Sequence, residues 1–148
     1  MESFGELKKD KAAIAMLVKG LGKEGFYLYM QVRQGSDDLA GYKEFPGGKI
    51  EPFETEAEAA KRELFEEASF EIPVKNFAKF NNYTYEYSDR SVELFSFLVE
   101  SPKMDEVTGG NWDWIDFKDP LKDLKGKILK ANELIIRDLA VCLSSRDN

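Results

Sequence analysis

The chain has 148 residues, 43% of them hydrophobic and 13% aromatic, and a net charge of −7, which fits one folded domain over 1–148 and argues against disorder. It contains no histidine and one cysteine, so histidine metal sites, histidine-based triads and internal disulfides are excluded. No apolar run nears the roughly 20 residues of a membrane span, the first residues lack a secretory pattern, and an acidic chain disfavours non-specific nucleic-acid binding, so a cytoplasmic protein is expected.

In chain order, Ala12–Val18 (AAIAMLV) and Phe26–Val32 (FYLYMQV) are predicted to be buried strands joined by the Gly-rich turn KGLGKEG. A polar loop, QGSDDLAGYK, leads into EFPGGKIEPFE. A helix is predicted to start at Thr55, whose spacing to Glu58 matches a capping box; Ala57, Ala60, Leu64 and Ala68 form its apolar stripe. Beyond Pro73, Val74–Tyr87 and Ser91–Glu100 suit an antiparallel pair turning at Ser88-Asp89-Arg90. Trp112–Phe117 reads as a further strand. Ile128, Ala131, Ile135, Leu139 and Cys142 recur at helical offsets over 128–143, which makes Cys142 a small apolar residue near the end of that helix. Strands and helices alternate irregularly, so the expected class is α/β (α+β): a mixed sheet covered by helices.

The chemistry concentrates on the Thr55 helix. Glu63, Glu66 and Glu67 stand at i, i+3 and i+4 and share a face, with Glu56 two turns earlier near the same side. Like charges so placed repel, and Arg62, four residues before Glu66, offsets only part of the repulsion. Oxygen-only ligands of this kind suit Mg²⁺ or Mn²⁺. Pro46-Gly47-Gly48 precedes the helix, and two glycines let backbone approach a ligand closely.

Together Gly48, Glu54, Arg62, Glu63, Leu64, Glu66, Glu67, Ser69 and Phe70 resemble the Nudix box, matching eight of its nine defined positions. Ser69 stands where that family has glycine, expected there as a left-handed helix terminator. Outside the box, Glu44-Phe45-Pro46-Gly47-Gly48-Lys49-Ile50-Glu51, Tyr85-Glu86-Tyr87-Ser88-Asp89-Arg90 and Ala131-Asn132-Glu133 are similar to segments of the MutT-type nucleotide pyrophosphohydrolases. Arg33 keeps the spacing of an arginine of that group.

The resemblance implies a single Nudix domain, a mixed β-sheet sandwiched between α-helices. It implies Mg²⁺ on Glu63, Glu66, Glu67 and the Gly47 carbonyl, with Arg62 orienting the carboxylates. It also implies a carboxylate general base, Glu63 or Glu106. Arg33, Phe45, Tyr87, Arg90 and Asn132 are its candidate nucleotide-binding residues. The implied reaction splits a nucleoside triphosphate, with 8-oxo-dGTP or dGTP as candidate substrate, into monophosphate and pyrophosphate. Alternatives are another nucleoside diphosphate derivative (dinucleoside polyphosphate, nucleotide sugar or RNA 5′ end) or a non-catalytic nucleotide sensor. The expected partner is a small-molecule nucleotide, with no membrane, in a monomer or homodimer.

Overall fold

The computed structural model describes residues 8–101, 103, 104 and 110–146. They fall into two compact units, Met1–Ala15 with Pro46–Val99, and Met16–Phe45 with Glu100–Asn148. Strand β1 (Lys8–Lys19) spans the division after Ala15, and its apolar run is buried continuously from Ala13 to Val18.

In the first unit, β5 (Gly47–Lys49) runs antiparallel to β1, pairing Ala12 with Lys49, Ala13 with Gly48 and Ile14 with Gly47. Helix α1 (Glu56–Ala68) follows after a short turn. The capping box forms as read: the Glu58 amide donates to Thr55 Oγ1 at 3.1 Å, and the Thr55 amide donates to Glu58 Oε1 at 2.7 Å. Ser69 ends the helix in the left-handed region, φ 62° and ψ 21°, its amide donating to the Phe65 carbonyl at 2.9 Å. The buried face is Ala59, Ala60 and Leu64, whereas Ala57 and Ala68 of the expected stripe are only half-buried. Adjacent alanines give overlapping stripes, so spacing alone does not choose among them. Val74–Asn76 is a 3₁₀ turn with an exposed Val74, and β6 (Phe77–Glu86) and β7 (Arg90–Val99) form the expected antiparallel pair.

In the second unit, β2 (Gly25–Tyr29) pairs antiparallel with the end of β1 and with β8 (Trp112–Asp116). The single strand expected over 26–32 is in fact two. The Met30 amide still donates to the Asn111 carbonyl, but from Gln31 the chain changes partner, so β3 (Gln31–Val32) pairs with β4 (Tyr42–Glu44). Strand β9 (Lys127–Ile128) then runs parallel to β4, making this small sheet mixed. That pairing removes Ile128 from the expected helix. Helix α2 runs Lys130–Ser144 and buries Ile135, Ile136, Leu139, Ala140 and Leu143. Cys142 lies near the end of this helix, as expected, and is exposed, off the buried face to which Ile135 and Leu139 belong. The exposed Leu134 and Val141 fit this, since an apolar helix offers several stripes at offsets of three and four. No described helix is long and apolar enough to cross a membrane.

Candidate active site

The turn Pro46-Gly47-Gly48 is pinned to β1, where the Ala15 amide donates to the Pro46 carbonyl at 2.9 Å. Its glycines are required by contact rather than by dihedral angle. A Cβ on Gly47 would stand 2.4 Å from the Ala13 carbonyl oxygen, which is backbone and cannot yield. A Cβ on Gly48 would stand 2.8 Å from both Cδ and Oε1 of Glu63. The carboxylate of α1 therefore lies directly against bare backbone. On the same turn the Gly47 amide donates to Glu67 Oε2 at 3.2 Å.

Arg62 organises the rest. Nε donates to Glu54 Oε2 at 3.1 Å and Nη2 to Glu54 Oε1 at 2.8 Å, a two-pronged grip. Nη1 donates to Glu63 Oε1 at 2.7 Å and to Glu66 Oε1 at 3.1 Å, and Nη2 also donates to the Lys49 carbonyl at 3.1 Å. A guanidinium has five N–H donors, and these five contacts use them all. The hydrogen bonds with Glu54 are the largest cause holding Arg62 charged beyond any ordinary pH; Glu63 adds to them. The Glu54 carboxyl is in turn held below the usual carboxylate range, chiefly by its hydrogen bonds with Arg62.

Arg62 takes only Oε1 of Glu63 and of Glu66, so each keeps Oε2 for another partner. Glu66 is 55% exposed and Glu63 only 16%. The donor set is all oxygen, which suits a hard divalent cation. As they stand, no three carboxylates among the described residues converge on one point.

Of the expected site residues, the structure links Arg62 to Glu63 and to Glu66, and the Gly47 amide to Glu67. It adds two members that sequence reasoning gave no role: Glu54 and the Lys49 carbonyl. The signal for Glu54 was available, because it is a box position, although it precedes the helix and its contact with Arg62 depends on the turn before Thr55. In the same unit, Tyr87 is exposed, and the Arg90 guanidinium sits over its ring at 5.4 Å. The Tyr87 amide donates to the Arg90 carbonyl at 2.7 Å, closing the hairpin.

The second unit holds the other candidates. Arg33 donates from Nε and Nη2 to Asp37 Oδ2, at 3.1 and 2.8 Å, and reaches Glu44 Oε2 at 3.5 Å. Phe45 follows Glu44 in the chain and is 5% exposed, so its ring is part of the core. Asn132 is half-buried in the first turn of α2, its amide bonded to the Leu129 carbonyl. The partly buried pair Lys43–Asp113 was not anticipated, since 70 residues separate its members and no local pattern joins them. Glu106 lies outside the described residues.

The NUDIX domain family matches residues 8–137. An 8-oxo-dGTP diphosphatase of Escherichia coli is 34% identical over 110 residues, covering 72% of this chain and 81% of that protein. A CTP pyrophosphohydrolase of the same organism is 33% identical over 86 residues, 58% of this chain, which spans only 59% of that relative's length. Among solved structures, the ORF135 protein of E. coli superposes with a TM-score of 0.64 at 22% identity, covering 99% of each chain. That likeness concerns the fold alone.

Proposed function

The chain belongs to the Nudix family and is a Nudix hydrolase close to the MutT type, acting on pyrophosphate bonds, and we propose that it is a Mg²⁺-dependent nucleoside-triphosphate pyrophosphohydrolase that releases pyrophosphate from oxidised guanine nucleotides. The observation that carries the reaction is the Arg62 hub. It binds one oxygen each of Glu63 and Glu66 and leaves the second free. The family match runs through residues of both compact units, which supports reading 1–148 as one Nudix domain.

In this reading Glu63, Glu66, Glu67 and the Gly47 carbonyl would hold Mg²⁺, which would supply charge neutralisation at phosphate oxygens and a lowered pKa of water. Arg62 fixes the Glu63 carboxylate, and Gly48 leaves room for it against the turn. A carboxylate, Glu63 or Glu106, takes the proton of the attacking water. The water oxygen joins a phosphorus of the anhydride, the bridging P–O bond breaks, and pyrophosphate leaves with the bridging electrons. Arg33, Arg90 and Asn132 supply nucleotide contacts: two cations for phosphate oxygens and one amide with both donor and acceptor for a base edge. Tyr87 offers an exposed ring, whereas the Phe45 ring is buried.

Support for the substrate comes from the E. coli 8-oxo-dGTP diphosphatase and from the segments at Glu44–Glu51, Tyr85–Arg90 and Ala131–Glu133. CTP is a second substrate reading, favoured by the nearly equal identity to the CTP pyrophosphohydrolase. A panel of 8-oxo-dGTP, dGTP and CTP with Mg²⁺, scored by pyrophosphate release, separates the two. Highest kcat/KM on 8-oxo-dGTP supports the first; highest on CTP rejects it for the second.

A further inference from the structure

Strand β6 ends its sheet: among the described residues β7 is its only strand partner, and Phe77–Glu86 contains no proline. Its 10 residues make it long for an edge, where unpaired backbone is a template for another strand. Two contacts show which backbone groups face outward. Asn81 turns its main chain toward β7, its amide donating to the Ser96 hydroxyl at 3.1 Å and its carbonyl accepting from that hydroxyl at 2.6 Å. The Tyr87 amide likewise donates inward, to the Arg90 carbonyl at 2.7 Å. Amides alternate between the two edges of a strand, so those of Asn82, Thr84 and Glu86 point away from β7. All three residues are exposed.

The side chains of this edge are complementary to themselves. Lys79 stands opposite Phe97 on β7, Asn82 opposite Phe95, Thr84 opposite Glu93 and Glu86 opposite Ser91. The extra residue at Phe80-Asn81 is a bulge, and it leaves Lys79, Asn82, Thr84 and Glu86 on one face. Lys79 and Glu86 are exposed, and among the described residues neither meets an opposite charge; the Lys79 ammonium lies 5.8 Å from the Phe95 ring centre. We propose that two copies of this chain join edge to edge along β6, antiparallel about a twofold axis at Tyr83. Asn82 of each copy then exchanges amide–carbonyl hydrogen bonds with Thr84 of the other. Beyond the bulge, Lys79 of each copy faces Glu86 of the other, and the two Tyr83 rings meet on the opposite face. An axis at Asn82 would set Lys79 against Thr84, and an axis at Thr84 would set it against the Ser88 turn. The Tyr83 axis pairs the charges, and this match selects a second copy over an unrelated strand.

Sedimentation equilibrium of the full chain over a dilution series tests this, and the wild type is expected to show a monomer–dimer equilibrium. Lys79→Glu and Glu86→Lys each set like charges opposite one another at both ends of the interface. Each is expected to weaken the dimer about tenfold or more, whereas the double variant Lys79→Glu/Glu86→Lys returns to within about threefold of wild type. Thr84→Pro deletes an outward amide that β7 does not use, and is expected to be a folded monomer by circular dichroism. If that variant does not fold, the charge exchange still decides. Tyr83→Cys in a Cys142→Ser background reads the register. It is expected to form an intermolecular disulfide on oxidation, because facing residues of a non-hydrogen-bonded pair approach to about 4.5 Å between Cα atoms. Thr84→Cys in the same background is expected to cross-link less. A wild type that stays monomeric throughout, a dimer that survives in folded Thr84→Pro, or a double variant no tighter than the single ones overturns the proposal. So does a Thr84→Cys cross-link that exceeds that of Tyr83→Cys.

Discussion

Arg62 grips both carboxylate oxygens of Glu54 before it touches the carboxylates assigned to catalysis, at 3.1 Å from Nε and 2.8 Å from Nη2. Glu54 therefore fixes the plane of the guanidinium, and that plane decides where Nη1 meets Glu63 and Glu66. Glu54→Gln keeps the shape but loses one charged acceptor, and Arg62→Lys loses the fork altogether. Each is expected to lower kcat about 10- to 100-fold, the usual cost of losing a group that orients ligands, with a near-wild-type circular dichroism spectrum. Wild-type kcat in Arg62→Lys would show that the fork is not needed.

The two glycines of the turn separate stability from activity. Gly47→Ala drives a Cβ to 2.4 Å from the Ala13 carbonyl, so backbone must move and about 2 kcal/mol or more of stability is expected to be lost. Gly48→Ala meets only the end of a flexible side chain, the Glu63 carboxylate at 2.8 Å. Its Tm is expected to change by only a few degrees, while kcat falls about 10- to 100-fold through displacement of Glu63. Urea melts and steady-state kinetics on both variants check this. A stable, fully active Gly48→Ala would contradict the packing of Glu63 on the turn.

Among the described residues, two non-glycine residues carry positive φ, Phe53 and Ser69. Replacing Ser69 by glycine relieves left-handed strain and is expected to stabilise by about 1 kcal/mol, less the extra entropy glycine has when unfolded. Phe53→Gly is expected to gain a similar amount, because the ring has no internal packing to lose. Denaturant midpoints measure both, and destabilisation by Ser69→Gly would mean that the serine makes a contact worth more than the strain.

Acid stability follows from Glu54. Its folded pKa lies below the usual glutamate value of about 4.3, chiefly because of Arg62. A lowered folded value means stability that is present above the ordinary range and lost as pH falls through the shifted value. Arg62 stays charged throughout, so it adds no window of its own. Between pH 6 and pH 3 the urea midpoint of wild type is expected to fall more steeply than that of Glu54→Gln, and parallel slopes would contradict this origin. Asp37, also held low by Arg33, is exposed and contributes little.

Much of the carboxylate helix was readable because its determinants are local. The Thr55–Glu58 cap, the Glu63–Glu66–Glu67 face and the left-handed Ser69 each depend on residues within a few positions. What escaped depends on distant partners. Met30 splits a strand because Gln31 pairs with Glu44, and Ile128 leaves a helix because it pairs beside Lys43. Strands β4 and β5, three residues each, lie in polar and glycine-rich sequence with no alternation to reveal them. The nucleotide candidates differ again. Arg33 turned out to be held by Asp37 and Glu44, and Arg90 by the Tyr87 ring, contacts that no box position encodes.

Glu67→Gln tests the central claim most directly, measured as pyrophosphate release from 8-oxo-dGTP against added Mg²⁺ beside wild type. Glu67 accepts a hydrogen bond from the Gly47 amide, which a glutamine oxygen can still accept, so the fold should hold. The expected result is Mg²⁺-dependent release by wild type and a loss of about 10²-fold or more in Glu67→Gln with an unchanged unfolding midpoint. Equal turnover by both proteins, or release by wild type that ignores Mg²⁺, would contradict a metal held on the carboxylate helix.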